Sequence, residues 1–114
     1  MNVTLFGATG DLGGECLTQC LDAGHTVTAL VRKPEKLAPK LARQINLVQG
    51  DGLILEDVIS AMPAGTDAVL FAVGVDEKTS PKDLCTKVTA NILSAMRSNN
   101  IPRLVWCGGG AVIF

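Results

Sequence analysis

The sequence predicts an α/β domain built on an open, doubly wound parallel sheet of about five strands. Three observations carry this. Short apolar, β-branched runs alternate five times with helical stretches along the 114 residues. The connections between them are short. Runs such as residues 3–6 are mainly apolar instead of alternating regularly with polar residues, as expected of strands covered on both faces. Parallel neighbours need a crossover, and the intervening helices supply it.

The elements follow in order. Residues 3–6 form a first strand bounded by Gly7. Over 11–23, Leu12, Cys16, Leu17, Cys20 and Leu21 recur at helical spacing and give one apolar face, and Gly24 stands where a left-handed cap ends a helix. Residues 26–31 read as a second strand, 34–42 as a short basic helix and 45–48 as a third strand. A helix over 55–62 stops before Pro63, Gly65 and Thr66, and a fourth strand over 68–73 ends at Gly74. Ser80, Pro81 and Asp83 supply an N-cap, a first-turn proline and an acid suited to a helix start. That helix carries Leu84, Val88, Ile92, Ala95 and Met96 on one side and runs to about Asn99, after which 103–107 form the fifth strand. No internal repeat or low-complexity linker interrupts the series, so residues 1–114 read as one domain.

Composition narrows the function. With 47% hydrophobic residues and a mean hydropathy of +0.33, the chain has enough apolar side chains for a packed core. A net charge of -1 with scattered acids and bases leaves no footprint for nucleic acid or anionic lipid, which points to small molecules as partners. Cys16, Cys20, Cys85 and Cys107 match neither a disulfide framework nor paired metal hooks and read as reduced thiols, with no metal site expected. No charged leader precedes the first strand and no apolar run is long enough to span a bilayer, so a cytoplasmic protein is expected.

The first strand leads directly into Gly7-Ala8-Thr9-Gly10-Asp11-Leu12-Gly13, a GxxGxxG arrangement between strand and helix. In that setting Gly7 takes backbone angles closed to other residues, Gly10 lets a pyrophosphate approach the main chain, and Gly13 allows close packing of the helix on the sheet. Unpaired amides at the helix start then face phosphate charge. The pattern predicts a Rossmann-type dinucleotide site.

Where an acid would hold the ribose hydroxyls of NAD, the end of the second strand carries Arg32 and Lys33, with Lys36 a turn later. A guanidinium there pairs instead with the 2′-phosphate of NADP(H), the cofactor this reading selects. Gly50-Asp51-Gly52 follows the third strand at the same edge, so Asp51 is placed to accept a hydrogen bond from the adenine amino group, although turn chemistry alone also accounts for the triplet. Ala72, Val73 and Gly74 fall where the strand order reverses, the position of ligand crevices in open α/β sheets.

Phe6-Gly7-Ala8-Thr9-Gly10, Ala29-Leu30-Val31-Arg32, Gly50-Asp51 and Arg103-Leu104-Val105 resemble the atypical short-chain dehydrogenase/reductase proteins, notably the biliverdin reductase B/flavin reductase-like and NmrA-like branches. The resemblance spans nearly the whole chain, and its first two motifs are the specific ones. It implies a Rossmann fold, NADPH preference, and cofactor contacts from the Gly7 to Gly13 turn, Arg32, Lys36, Asp51, Gly52, Val73, Gly74 and the loop after the fifth strand. Similar proteins carry about half a domain more, so the chain reads as truncated at its C-terminal side.

No catalytic residue can be assigned from these residues. Many proteins of this fold transfer a proton through a tyrosine and lysine pair, but the sequence contains no tyrosine. Cys107-Gly108-Gly109-Gly110 has no hydroxyl where the flavin reductase-like branch places hydroxyl-bearing residues. Cys107 itself reads as a packing residue, His25 belongs at the opposite end of the sheet, and Asn91 on the inner helix face either bonds backbone or water near the site or is an ordinary polar helix residue. Hydride transfer to a flavin-like or quinone-like acceptor requires mainly that two flat rings be held face to face, and this is the leading expectation. The alternatives are a non-catalytic NADP(H)-sensing NmrA-like protein with a protein partner, and a truncated cofactor-binding fragment whose exposed fifth-strand edge invites a homodimer.

Overall fold

The computed structural model describes residues 1–9, 11–72 and 84–107. Gly10, Val73, Gly74, the helix-start residues Ser80, Pro81 and Asp83, and Gly108 to Gly110 lie outside the described residues.

Five strands, β1 (Asn2–Phe6), β2 (Thr26–Val31), β3 (Asn46–Gln49), β4 (Ala68–Ala72) and β5 (Leu104–Cys107), form one sheet of order β3-β2-β1-β4-β5. Every pairing is parallel, with Leu5 level with Ala29 on one side and Leu70 on the other. The predicted fold class is the observed one. The central strand β1 is buried from Val3 to Phe6, which explains its unbroken apolar run apart from Thr4.

Alternate residues of each strand feed two cores. Leu5, Val27, Ala29, Val31 and Ala72 face Leu17 of helix α1 (Asp11–Asp22). On the other face Phe6, Leu30, Val69 and Phe71 pack with Val58, Ala61 and Met62 from α3 (Leu55–Ser60) and its end, and with Ile92, Ala95 and Met96 of α4 (Leu84–Ser98). Phe6 and Phe71 meet edge to face with centroids 6.4 Å apart, a favoured aromatic arrangement. Thr4, fully buried between these residues, donates its hydroxyl to the Ala61 carbonyl at 2.8 Å. This satisfies the one polar side chain in β1's inner stretch and ties the end of α3 to the sheet.

Helix α1 closes as predicted. Gly24 has φ +85, its amide bonds the Leu21 carbonyl, and the His25 amide reaches back to Cys20, both at 3.0 Å, the paired pattern of a left-handed cap. The single helix expected over 34–42 is a correction. Pro34–Lys36 forms one 3-10 turn, and a separate short helix α2 covers Pro39–Ala42. Ala38 precedes Pro39 and is held extended at φ -57, ψ 132, because the proline ring excludes helical angles for the residue before it.

Among the described residues no helix is long and apolar enough to cross a membrane. Cys16 and Cys20 are half-buried against the α1 core.

Candidate functional site at the carboxyl edge of the sheet

Because all five strands run the same way, the chain leaves β1, β2 and β3 at one edge through Gly7, Arg32 and Gly50. Consecutive strands β3, β2 and β1 progress to one side, whereas β4 and β5 lie on the other. The reversal therefore falls between β1 and β4, the position at which open α/β sheets bind ligands.

Gly7 sits at this reversal with φ +87. A Cβ built on it would overlap the carbonyl oxygen of Ala72 at the end of β4, so both the backbone angle and the space demand glycine. Asp11, Leu12 and Gly13 form the first turn of α1. A Cβ on Gly13 would overlap the Gly7 carbonyl and approach Ala8 Cα to 3.0 Å. The helix start is thus pressed directly against the turn, with Ala8 buried beneath it and Thr9 exposed. At Gly7 and Gly13 the turn and the helix start meet main chain to main chain. A 12-residue helix beginning there contributes a partial positive charge of roughly half a unit and amides without helical partners. This donor set fits a diphosphate.

Arg32 follows β2 directly, and Lys33 and Lys36 come next on the same segment; all three are exposed. Among the described residues none of these cations is held by an ion pair or hydrogen bond, so their charge is available at the edge. Arg32 and Gly50 are brought together by the pairing of β2 with β3, since the Gly50 amide donates to the Val31 carbonyl at 3.1 Å.

The turn after β3 is tightly braced. Asp51 Oδ1 accepts from the Leu53 amide at 2.9 Å, and the Ile54 amide bonds the Asp51 carbonyl at 3.0 Å. Asp57 of α3 accepts the Asp51 amide through Oδ2 at 2.9 Å, and Asn91 of α4 donates its Nδ2 to the Gly52 carbonyl at 2.9 Å. Of the two readings open for Asn91, the structure shows the backbone bond. Asp57 was missed by sequence reasoning, because beside Glu56 in the first turn of α3 it reads as an ordinary helix-start acid. Among the described residues the Gly52 amide makes no hydrogen bond, which leaves a donor beside the Asp51 carboxylate.

Two features lie elsewhere. His25 is at the opposite edge, with Nδ1 3.3 Å from the terminal amino group of Met1. A cavity of about 160 Å³ also opens at that opposite edge between Asn2, Thr26, Thr28, Asn46 and Thr66, away from the glycine turn. Among the described residues no three His, Cys, Asp or Glu side chains converge as metal ligands.

A parallel sheet of this order, with a glycine cradle and helix start at its reversal point, defines a nucleotide-binding α/β protein. The chain belongs to the NAD(P)H-binding family, whose sequence model matches residues 7–112. Solved structures agree. A triphenylmethane reductase from Citrobacter sp. is 28% identical with a TM-score of 0.76, over 99% of this chain and 40% of its own. An NADPH-dependent quinone oxidoreductase from Escherichia coli, solved with NADPH, is 25% identical with a TM-score of 0.70, over 91% of this chain and 35% of its own. An anaerobilin reductase from Escherichia coli O157:H7 shares the fold at 23% identity and a TM-score of 0.73, over 93% of this chain and 50% of its own. The chain therefore spans half the length or less of these proteins.

Proposed function

We propose that the chain is the NADP(H)-binding part of a reductase that passes hydride from NADPH to a flavin-like or quinone-like acceptor. The observation that carries this reading is the combination, along one sheet edge, of a glycine turn packed tightly at Gly7 and Gly13 with an exposed guanidinium and no acid directly at the end of β2. In the reading, Gly7, Thr9, Gly10, Asp11, Leu12 and Gly13 hold the diphosphate through main-chain amides. Arg32 and Lys36 meet the 2′-phosphate, Arg32 through paired charge-assisted hydrogen bonds. Asp51 and Gly52 take the adenine, and Val73 and Gly74 are assigned to the cofactor wall by sequence alone.

When bound, the cofactor supplies the hydride. The chain's own contribution is binding, orientation and exclusion of water. No general acid is assigned, and ring-to-ring hydride transfer depends chiefly on orientation. Similarity to the Citrobacter reductase and to the NADPH-dependent quinone oxidoreductase supports the reductase class. The motif resemblance supports the atypical short-chain dehydrogenase/reductase branch.

The test is NADPH consumption with FMN, FAD and quinones, together with titration by NADPH and NADH. Turnover with at least one acceptor is expected. Arg32→Ala removes a charge-assisted contact of about 1.5–3 kcal/mol, so NADPH binding should weaken roughly 10- to 100-fold while NADH binding stays unchanged. Absence of turnover above free NADPH with every acceptor contradicts the reductase reading.

One observation favours a second reading. The Cys107-Gly108-Gly109-Gly110 stretch offers no hydroxyl near the nicotinamide position, as suits a non-catalytic, NADP(H)-responsive NmrA-like protein. Equal affinity for oxidised and reduced cofactor, without hydride transfer, distinguishes it.

A further inference from the structure

We infer that Asp57 and Asn91 act as a two-point clamp on the turn after β3, and that this clamp sets how strongly the chain prefers adenine over other purines. The inference rests on the cofactor reading above and adds two positioning residues to it.

Consider the peptide groups of the turn. The Gly50–Asp51 peptide is fixed through its N–H by the Asp57 carboxylate of α3. The Gly52–Leu53 peptide is fixed through its carbonyl by the Asn91 amide of α4. Between them lies the Asp51–Gly52 peptide, whose N–H has no partner among the described residues. One Asp51 oxygen is committed to the Leu53 amide, which fixes the carboxylate and leaves Oδ2 to accept. The result is a free donor and a free acceptor on adjacent residues, each held from both sides.

The steric surroundings agree. A Cβ on Gly52 would approach the Val88 methyl groups of α4 to 3.1 Å, and one on Gly50 would meet Asp57 Cβ and Leu30 Cδ1 at 2.9 Å. The turn is therefore seated against α3, α4 and the end of β2 with little room to shift. α3 and α4 pack on each other over the same core, so both anchors stand on one rigid base. A donor beside an acceptor complements adenine, which offers an acceptor at N1 and a donor at its amino group. Hypoxanthine offers the opposite pattern, N–H at N1 and a carbonyl at C6. Pre-positioned partners discriminate because the wrong base leaves both groups unpaired.

The experiment titrates NADPH, its hypoxanthine analogue and nicotinamide mononucleotide into the wild-type chain and into Asp57→Ala, Asp57→Asn and Asn91→Ala. Wild type should favour adenine by about tenfold or more. Asp57→Ala and Asn91→Ala should reduce that preference to about twofold or less, mainly through weaker NADPH binding. Asp57→Asn, whose amide oxygen still accepts the Asp51 N–H, should keep it. Nicotinamide mononucleotide lacks the purine and should bind all folded variants alike. If Asp57→Ala does not fold, Asn91→Asp, equal in size but without the donor, carries the same expectation. An adenine preference that persists in folded Asp57→Ala and Asn91→Ala overturns the clamp while leaving the cofactor reading intact. Failure of the wild-type chain to bind NADPH overturns both.

Discussion

At Gly13 a single added methyl group would collide with the Gly7 carbonyl, which in turn is part of the turn seated on Ala72. Gly13→Ala must therefore push α1 off the turn or distort the turn itself. Overpacking of this kind costs about 1–3 kcal/mol, readable as a lowered urea midpoint, and NADPH affinity should fall with it. Unchanged stability and affinity in that variant would show that the helix start is not pressed against the cradle. The glycine turn was legible from sequence because strand, glycines and helix start follow each other without a gap. Arg32 was legible for a related reason, since its place at the end of β2 follows from the strand boundary. Asp57 was not, because a carboxylate in the first turn of a helix is ordinary dipole chemistry, and nothing in its spacing tells that it bonds the turn before it.

At the scale of elements, strands were easier to read than short helices. β2 ends where the β-branched run ends, at Thr26 and Val31, because burial and strand propensity agree there. The segment from Pro34 to Ala42 reads as one helix from its apolar spacing, but its second proline, Pro39, splits it into a 3-10 turn and α2. Thr4 was overlooked in a similar way, since a threonine suits a strand by propensity and its buried bond to Ala61 joins residues 57 apart. Thr4→Val keeps the shape but strands the Ala61 carbonyl. A loss of about 1–3 kcal/mol is expected, measured as a lower urea midpoint at constant slope, with NADPH affinity unaltered. A variant as stable as wild type would remove this bond from the account of how α3 is held.

For the whole molecule, alternation of strand and helix sufficed to predict a parallel sheet, and the order β3-β2-β1-β4-β5 then fixes where a ligand crevice must open. The outer strand β5 carries Val105 at 46% exposure, and the chain spans half or less of the proteins it resembles. An edge of this kind favours pairing with further chain or with a second copy; sequence periodicity is silent on which, because it reports faces and not edges. The account as a whole depends on main-chain amides gripping a diphosphate at the junction of β1 and β4. A crystal structure of the chain grown with NADP tests this most directly. The account predicts the diphosphate against the turn from Gly7 to Gly13, the 2′-phosphate beside Arg32 and the adenine at Asp51 and Gly52. Cofactor bound at another edge, or a crevice filled by the chain's own side chains, would contradict it.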